Sequence, residues 1–200
     1  MQRKTGDVRR LVESGVLLAL GFILSFIKFV PLPQGGSVTL CSMLPLVFIG
    51  YKYGPAWGSF SGLVFGILQM ISDFAPPPVP SAGVFFLEIL LDYVLAWTMV
   101  GMISGLMRNV FKKPQMAIAS GAFVGIFGRY LCSVLSGILI WGVYAPEGQS
   151  VALYSIVYNG SWALPEMILT AVLGYVLTSF ESIRNLLLPV KSPTRGEQKS

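Results

Sequence analysis

GVFFLEILLDYVLAWTMVGMISGLMRNV, residues 83–110, runs for 28 residues with charge only at Glu88, Asp92 and Arg108. A helix needs about 20 apolar residues to cross the hydrocarbon core of a bilayer, so this stretch reads as a membrane span. Two carboxylates lie in its first half. A charge at that depth costs about 3 kcal/mol or more unless it is paired or faces a polar cavity, which makes such residues functional candidates.

The rest of the chain has the same character. Of its 200 residues 54% are hydrophobic and 12% charged, with no histidine, and its mean hydropathy is +0.71. That composition lies outside the soluble range. About six spans with short connections fit the length, so the predicted fold is an all-α integral membrane bundle forming a single membrane domain over residues 1–200. Breakers and charges divide it into spans at residues 11–30, 40–51, 56–74, 83–110, 115–143 and 151–187. Residues 31–36 (PLPQGG), 52–55 (KYGP), 75–80 (APPPVP) and 112–114 (KKP) punctuate them.

Basic residues orient this bundle. Arg3, Lys4, Arg9 and Arg10 precede the first span; Lys52 lies in the second connection; Arg108, Lys112 and Lys113 in the fourth; Arg184, Lys191, Arg195 and Lys199 follow the last. The other three connections have no Lys or Arg. By the positive-inside rule both termini are cytoplasmic, with basic tails at 1–10 and 188–200, and the loops at Pro33, Pro77 and Glu147 face outward. The net charge of +5 is then a topology signal, which argues against nucleic-acid binding. The first span has the basic start of a secretory signal but no small-residue cleavage site, and reads as a retained helix. Cys41 and Cys132, near the outer end of helix two and within helix five, read as two unpaired thiols.

Small residues describe the packing. Gly58, Gly62 and Gly66 recur every fourth residue in helix three, Gly101 and Gly105 in helix four, Gly121 and Gly125 in helix five. This spacing makes a smooth stripe that lets backbones approach closely, most simply within the chain. Gly15 and Ala19 repeat the spacing in the cytoplasmic half of helix one, where the stripe can receive another subunit.

Depth groups the polar residues. At 1.5 Å per residue, Asp92 lies about 12–14 Å, Ser133 about 15 Å and Asn159 about 12 Å below the outer ends of their helices. Tyr93, Trp97, Trp141, Tyr154, Tyr158 and Trp162 surround that level. A carboxylate, an amide and aromatic faces suit a flat, cationic, hydrogen-bonding ligand. Structural roles compete for several residues. Trp141 and Tyr144 fit an interfacial aromatic belt; Arg129 fits a charge partner of Asp92 or Glu88; Glu166, after Pro165, fits a stabiliser of a helix kink; Asn159 beside Gly160 fits a helix irregularity. Without histidine, a Ser-His pair or an H-E-x-x-H motif, neither a metal site nor an enzyme is expected, and no cofactor is implied. An autonomous secondary transporter of a small cationic heterocycle, relaying protons through Asp92, Arg129 and Glu88, is the alternative function.

Four ordered blocks carry a more specific signal: PQGGSVTLCSMLPL (residues 33–46), LLDYVLAW (90–97), RYLCSVLSGILIWGVYAPEG (129–148) and LYSIVYNGSWALPE (153–166). Together they resemble the thiamine-specific substrate-binding (S) components of bacterial energy-coupling factor transporters, over residues 11 to about 175. The resemblance implies a six-helix vitamin-capture subunit of the plasma membrane, working with a transmembrane coupling subunit and two cytosolic ATPases. It places ligand contacts on Asp92 and Tyr93, Gly137 and Trp141, and Tyr154 and Asn159, and coupling-subunit contact on Gly15 and Ala19. Ser133 stands where family members commonly carry a histidine that lines the site. Serine still donates and accepts hydrogen bonds but is shorter and cannot be cationic, which leaves room for a related vitamin or precursor as ligand. Reading Phe86-Leu87-Glu88 as the helix-four motif would substitute Glu88 for Asp92; the flanking Tyr93, Leu95 and Ala96 favour Asp92.

Overall fold

The computed structural model describes residues 2–33 and 36–188, with side chains from residue 6 onward. Gln34, Gly35, the side chains of Arg3 and Lys4, and the tail with Lys191, Arg195 and Lys199 lie outside the described residues. The order is α1 (Gln2–Ser25), β1 (Lys28–Pro31), β2 (Ser37–Thr39), α2 (Leu44–Tyr53), α3 (Pro55–Ser72), α4 (Ala82–Met107), α5 (Pro114–Leu139), α6 (Val151–Ser179) and α7 (Glu181–Leu186). It is a helical membrane bundle as read from the sequence. By length and composition, α4, α5 and α6 each suffice to cross a membrane. The others contribute in different ways: α1 begins with charged residues, α3 has 18 residues, and α2 has only 10, about 15 Å of helix.

Helices four and five end at Met107 and Leu139, a few residues before the predicted 110 and 143, and three other boundaries change the reading. Helix one stops at Ser25 rather than residue 30, because residues 28–31 pair antiparallel with 37–39 (Lys28 opposite Thr39, Val30 opposite Val38). Their β-branched residues and the Pro31–Gly36 turn chemistry suit a hairpin, so a two-stranded element joins the otherwise α-helical bundle. Helix two begins at Leu44 rather than 40. Cys41 therefore belongs to the turn before it, at φ 52°, and neither it nor Cys132 is in a disulfide. Helix six ends at Ser179; Phe180 is extended, and Thr178 and Ser179 donate their hydroxyls back to the carbonyls of Gly174 and Tyr175.

Short as it is, α2 is the axis of the core. Leu44, Leu46, Val47 and Ile49 are at most 4% exposed, consistent with a helix apolar on all sides. Around it α3 and α4 run antiparallel in close contact. A Cβ at Gly58, Gly62 or Gly66 would drive into the backbone of Gly101, Trp97 or Tyr93 respectively, so this stripe is consumed inside the chain. Gly121 and Gly125 meet Ser104 and Val100 of α4 in the same manner. Large apolar side chains such as Phe86, Phe123, Leu131, Val157 and Val172 are exposed on the outer faces, the surface a lipid environment requires.

Lys52, read as a charge in a cytoplasmic turn, is instead a buried residue in the last turn of α2, 7% exposed. Its ammonium donates to Glu13 at 2.5 Å and to the Leu186 carbonyl at 2.6 Å. Glu13 also accepts from Arg9 and Tyr53, and Arg10 lies 4.1 Å over the Trp57 ring. This network ties α1, α2, α3 and α7 at the end of the bundle opposite the hairpin. Widening a glycine contact should therefore act on the fold: Gly62→Ile separates α3 from α4 at a cost of about 1–3 kcal/mol or more. Thermal unfolding in detergent should show a clear drop for Gly62→Ile and none for Gly15→Ile, whose Cβ position has nothing within 4 Å.

Candidate functional site

At the hairpin end, α3, α4, α5 and α6 enclose a cavity of about 180 Å³. Asp92, Tyr93, Ser133, Gly137, Trp141, Tyr154 and Asn159, the residues singled out from sequence, all line it, as do Glu88 and Arg129. Depth alone puts Asp92, Ser133 and Asn159 on one level, and the helix packing turns all of these residues towards one space.

In α4, residues Ile89–Leu95 form a π-helical stretch, with the Ala96 amide donating to the Leu91 carbonyl five residues back. Such widened turns recur at functional sites, and this one carries Asp92. From the neighbouring helix α5, the fully buried Ser136 donates its hydroxyl to Asp92 Oδ2. Glu88, one turn earlier, is 1% exposed and its Oε2 has no hydrogen-bond partner.

Arg129 departs from its expected role. Among the described residues it forms no ion pair within 4 Å with Asp92 or Glu88. Its guanidinium lies over two indoles, 4.0 Å from the centre of Trp97 and 4.6 Å from that of Trp162, and donates to Met43 Sδ at 3.3 Å. Both indoles are within cation-π distance, so cation-π attraction holds the guanidinium where a carboxylate was anticipated.

Asn159 is not a helix irregularity, for α6 runs unbroken through it. Its Nδ2 donates to the Ser133 carbonyl (3.2 Å) and Ser155 carbonyl (3.0 Å), while Oδ1 accepts from Trp162 Nε1 at 3.3 Å. The amide thus joins α5 to α6 and fixes the indole against Arg129. Gly137 serves the same junction, since a Cβ there would collide with Ser155 Oγ. Trp141 stacks on Tyr144 at 6.1 Å, and Tyr154 packs on Tyr158 at 5.7 Å. All four rings line the cavity, so Trp141 and Tyr144 are not belt residues alone. Tyr93 donates its hydroxyl to the Asp73 carbonyl at 3.1 Å.

Glu166 does not serve its own helix at Pro165. Fully buried, it accepts from the Thr39 amide and the Thr39 hydroxyl, both at 2.8 Å, and so anchors the hairpin. A second tie, Lys28 to Asp73 at 2.6 Å, fastens the other strand to the end of α3. Gly36 is seated against the Trp162 ring, where any Cβ would clash. Gln69, Asp73, Gly36 and Ser155 also line the cavity and were not anticipated. Gln69 had a visible signal, a long polar side chain inside the apolar run of helix three; the others become cavity residues only through contacts distant in sequence.

A profile of the family described as thiamine transporter protein matches residues 11–185. The chain belongs to that family. It is 32% identical over 176 residues to the thiamine transporter ThiT of Bacillus subtilis, covering 82% of this chain and 86% of that one. With ThiT of Lacticaseibacillus paracasei it shares 31% over 181 residues, 84% and 86% of the two chains. The solved structure of ThiT from Listeria monocytogenes superposes with a TM-score of 0.74 at 26% identity, over 92% of this chain and all of that one. The family places the chain among transport proteins, as a multi-pass protein of the bacterial plasma membrane.

The hairpin anchor is open to direct test. Glu166→Ala leaves a buried amide and hydroxyl of Thr39 without their acceptor, a loss of about 1–3 kcal/mol. Hydrogen exchange should rise at residues 37–39 with little change in α5.

Proposed function

We propose that this chain is the substrate-capture subunit of an ATP-driven energy-coupling factor importer, and that it binds thiamine in the cavity at the hairpin end. The observation that carries the reading is Asp92 on a π-helical turn, set among Tyr93, Trp141 and Tyr154 in a member of the thiamine transporter family. Thiamine joins an aromatic cation to an aminopyrimidine. Aromatic faces and a carboxylate in a desolvated site suit both parts. Because the Arg129 guanidinium already lies over two indoles, the Asp92 carboxylate is left to face the ligand's positive charge.

In this reading the hairpin end faces outward and the Glu13–Lys52 end faces the cytosol, in agreement with the basic residues. Vitamin enters from outside. The chain contains no G-x-x-x-x-G-K-S/T loop with which to hold ATP phosphates, so hydrolysis falls to two cytosolic ATPases acting through a transmembrane coupling subunit. Helix α1 supplies the docking face. Gly15 and Ala19 are exposed, in contrast to the buried stripes of α3 and α4, and the exposed Leu11, Val12 and Val16 adjoin them.

Two outcomes follow. Titration of purified protein with thiamine should quench tryptophan fluorescence, and Asp92→Asn, which keeps the size and removes the charge, should weaken binding by about 1.5–3 kcal/mol, roughly tenfold or more. Folded protein that gives no heat or fluorescence response to micromolar thiamine would overturn the ligand and point to a related vitamin, in keeping with Ser133.

For the partner, Gly15→Trp or Ala19→Trp should abolish uptake in cells while leaving thiamine binding to the purified chain intact. Uptake persisting in cells without the coupling subunit and ATPases would favour an autonomous carrier.

A further inference from the structure

The inner face of α1 changes character along its length. Towards the hairpin it is apolar: Leu18 is buried, and Gly21 is seated against the Ser42 carbonyl and the Phe65 ring, where a Cβ would collide. Towards the other end it is polar. Ser14 accepts from Trp57 Nε1 at 2.8 Å, Glu13 accepts from Lys52 at 2.5 Å and from Tyr53, and Arg10 lies over the Trp57 ring. Glu13 points about 200° around the helix from Leu11 and from Gly15, and both of those residues are exposed. The half of α1 that carries the exposed stripe is therefore fixed from behind by hydrogen bonds and an ion pair rather than by apolar packing.

Lys52 is the hub of these ties. A lysine only 7% exposed is rare unless acceptors lie close by, and its two acceptors belong to α1 and to the last turn of α7. Its own backbone is held as well. Arg108, just beyond α4, donates to the Lys52 carbonyl at 3.3 Å, with its guanidinium against Gly54. The ammonium thus projects from a fixed base, and its position sets that of Glu13.

Resting on the reading that Gly15 and Ala19 dock the coupling subunit, we propose that Glu13 and Lys52 are the positioning residues for that contact, holding the cytoplasmic half of α1 in the orientation the partner helix meets. Close packing on a small-residue stripe requires the stripe to face one way, so the partner finds its surface formed only while the pair holds. Removing either member alone leaves the other charge without its counter-ion, whereas removing both leaves none. Neither residue lines the ligand cavity, so positioning and vitamin binding are separable.

Wild type, Glu13→Gln, Lys52→Met and the double variant, each as the full chain, test this. In detergent, amide hydrogen exchange across residues 8–16 should quicken about tenfold or more in each single variant, with α5 unchanged. Calorimetric thiamine affinity should stay within about twofold of wild type, as expected for distant sites. In cells carrying the coupling subunit and ATPases, the maximal rate of thiamine uptake should fall about fivefold or more while the half-saturating concentration is unchanged. Raising the level of the coupling subunit and ATPases should restore the rate by mass action, and the double variant should lose no more than the worse single one. Variants that exchange and transport like wild type, or that lose thiamine affinity together with uptake, would refute the positioning role: in the first case the pair does not hold the face, in the second it holds the whole fold. Additive losses in the double variant, or a rate that excess partner does not restore, would refute it equally. Wild-type uptake in cells lacking the coupling subunit would instead remove the docking reading, and the positioning role with it.

Discussion

A guanidinium inside an apolar bundle has to be held by something, and the packing of this protein is organised around that requirement at Arg129. Removing the cation from water costs several kcal/mol; here its direct contacts are two indoles and a methionine sulfur, and the Glu166 and Asp92 carboxylates act on it from beyond ion-pair distance. The three direct contacts belong to α4, α6 and the residue preceding α2. The clamp therefore brings together helices that are far apart in sequence. Each tryptophan is fixed in turn: Trp97 meets the Phe65 ring of α3 edge-on at 4.8 Å, and Trp162 donates to Asn159, which bonds to the backbone of α5. One buried charge thereby sets the relative positions of four cavity walls.

The carboxylates are distributed by the same logic. Glu166 lies too deep to meet solvent and is satisfied by the hairpin, through the amide and hydroxyl of Thr39. Asp92 has two neutral partners, the Ser136 hydroxyl and the Trp141 indole, and faces the cavity. Glu88 has a free oxygen. The acidic groups thus differ in role: Glu166 is committed to the hairpin, whereas Asp92 faces the cavity and can answer a cationic ligand. Asp92 is hydrogen-bonded by neutral groups and makes no direct ion pair with Arg129.

Identical small-residue spacing serves two ends. Gly58, Gly62 and Gly66 are filled by the backbone of α4, while Gly15 and Ala19 on α1 look outward. A partner helix can use a stripe only if the chain's own helices have not already done so. This difference in occupancy, invisible in the spacing, is what makes α1 the proposed docking face.

Much of the architecture was legible in the residues. Apolar runs interrupted by proline and glycine predicted the helices, because a bilayer admits few other solutions, and turn residues located most of their ends within a few positions. Depth counting brought Asp92, Ser133 and Asn159 to one level because helical rise is constant. Other features depend on contacts between distant segments. The hairpin at residues 28–39 read as a helix end and a loop, since two short strands are stable only once Glu166 and Asp73 anchor them. Lys52 read as a solvated turn charge until Glu13, 39 positions away, supplied its counter-ion. Composition and local pattern determined that this is a helical membrane protein with charged residues at mid-depth, because hydrophobicity and helical rise are properties of the chain alone. Which charge meets which partner was decided by the tertiary structure, because Arg129 had carboxylates and indoles within reach and only the packing of α4 and α6 on either side of α5 brought Trp97 and Trp162 over its guanidinium.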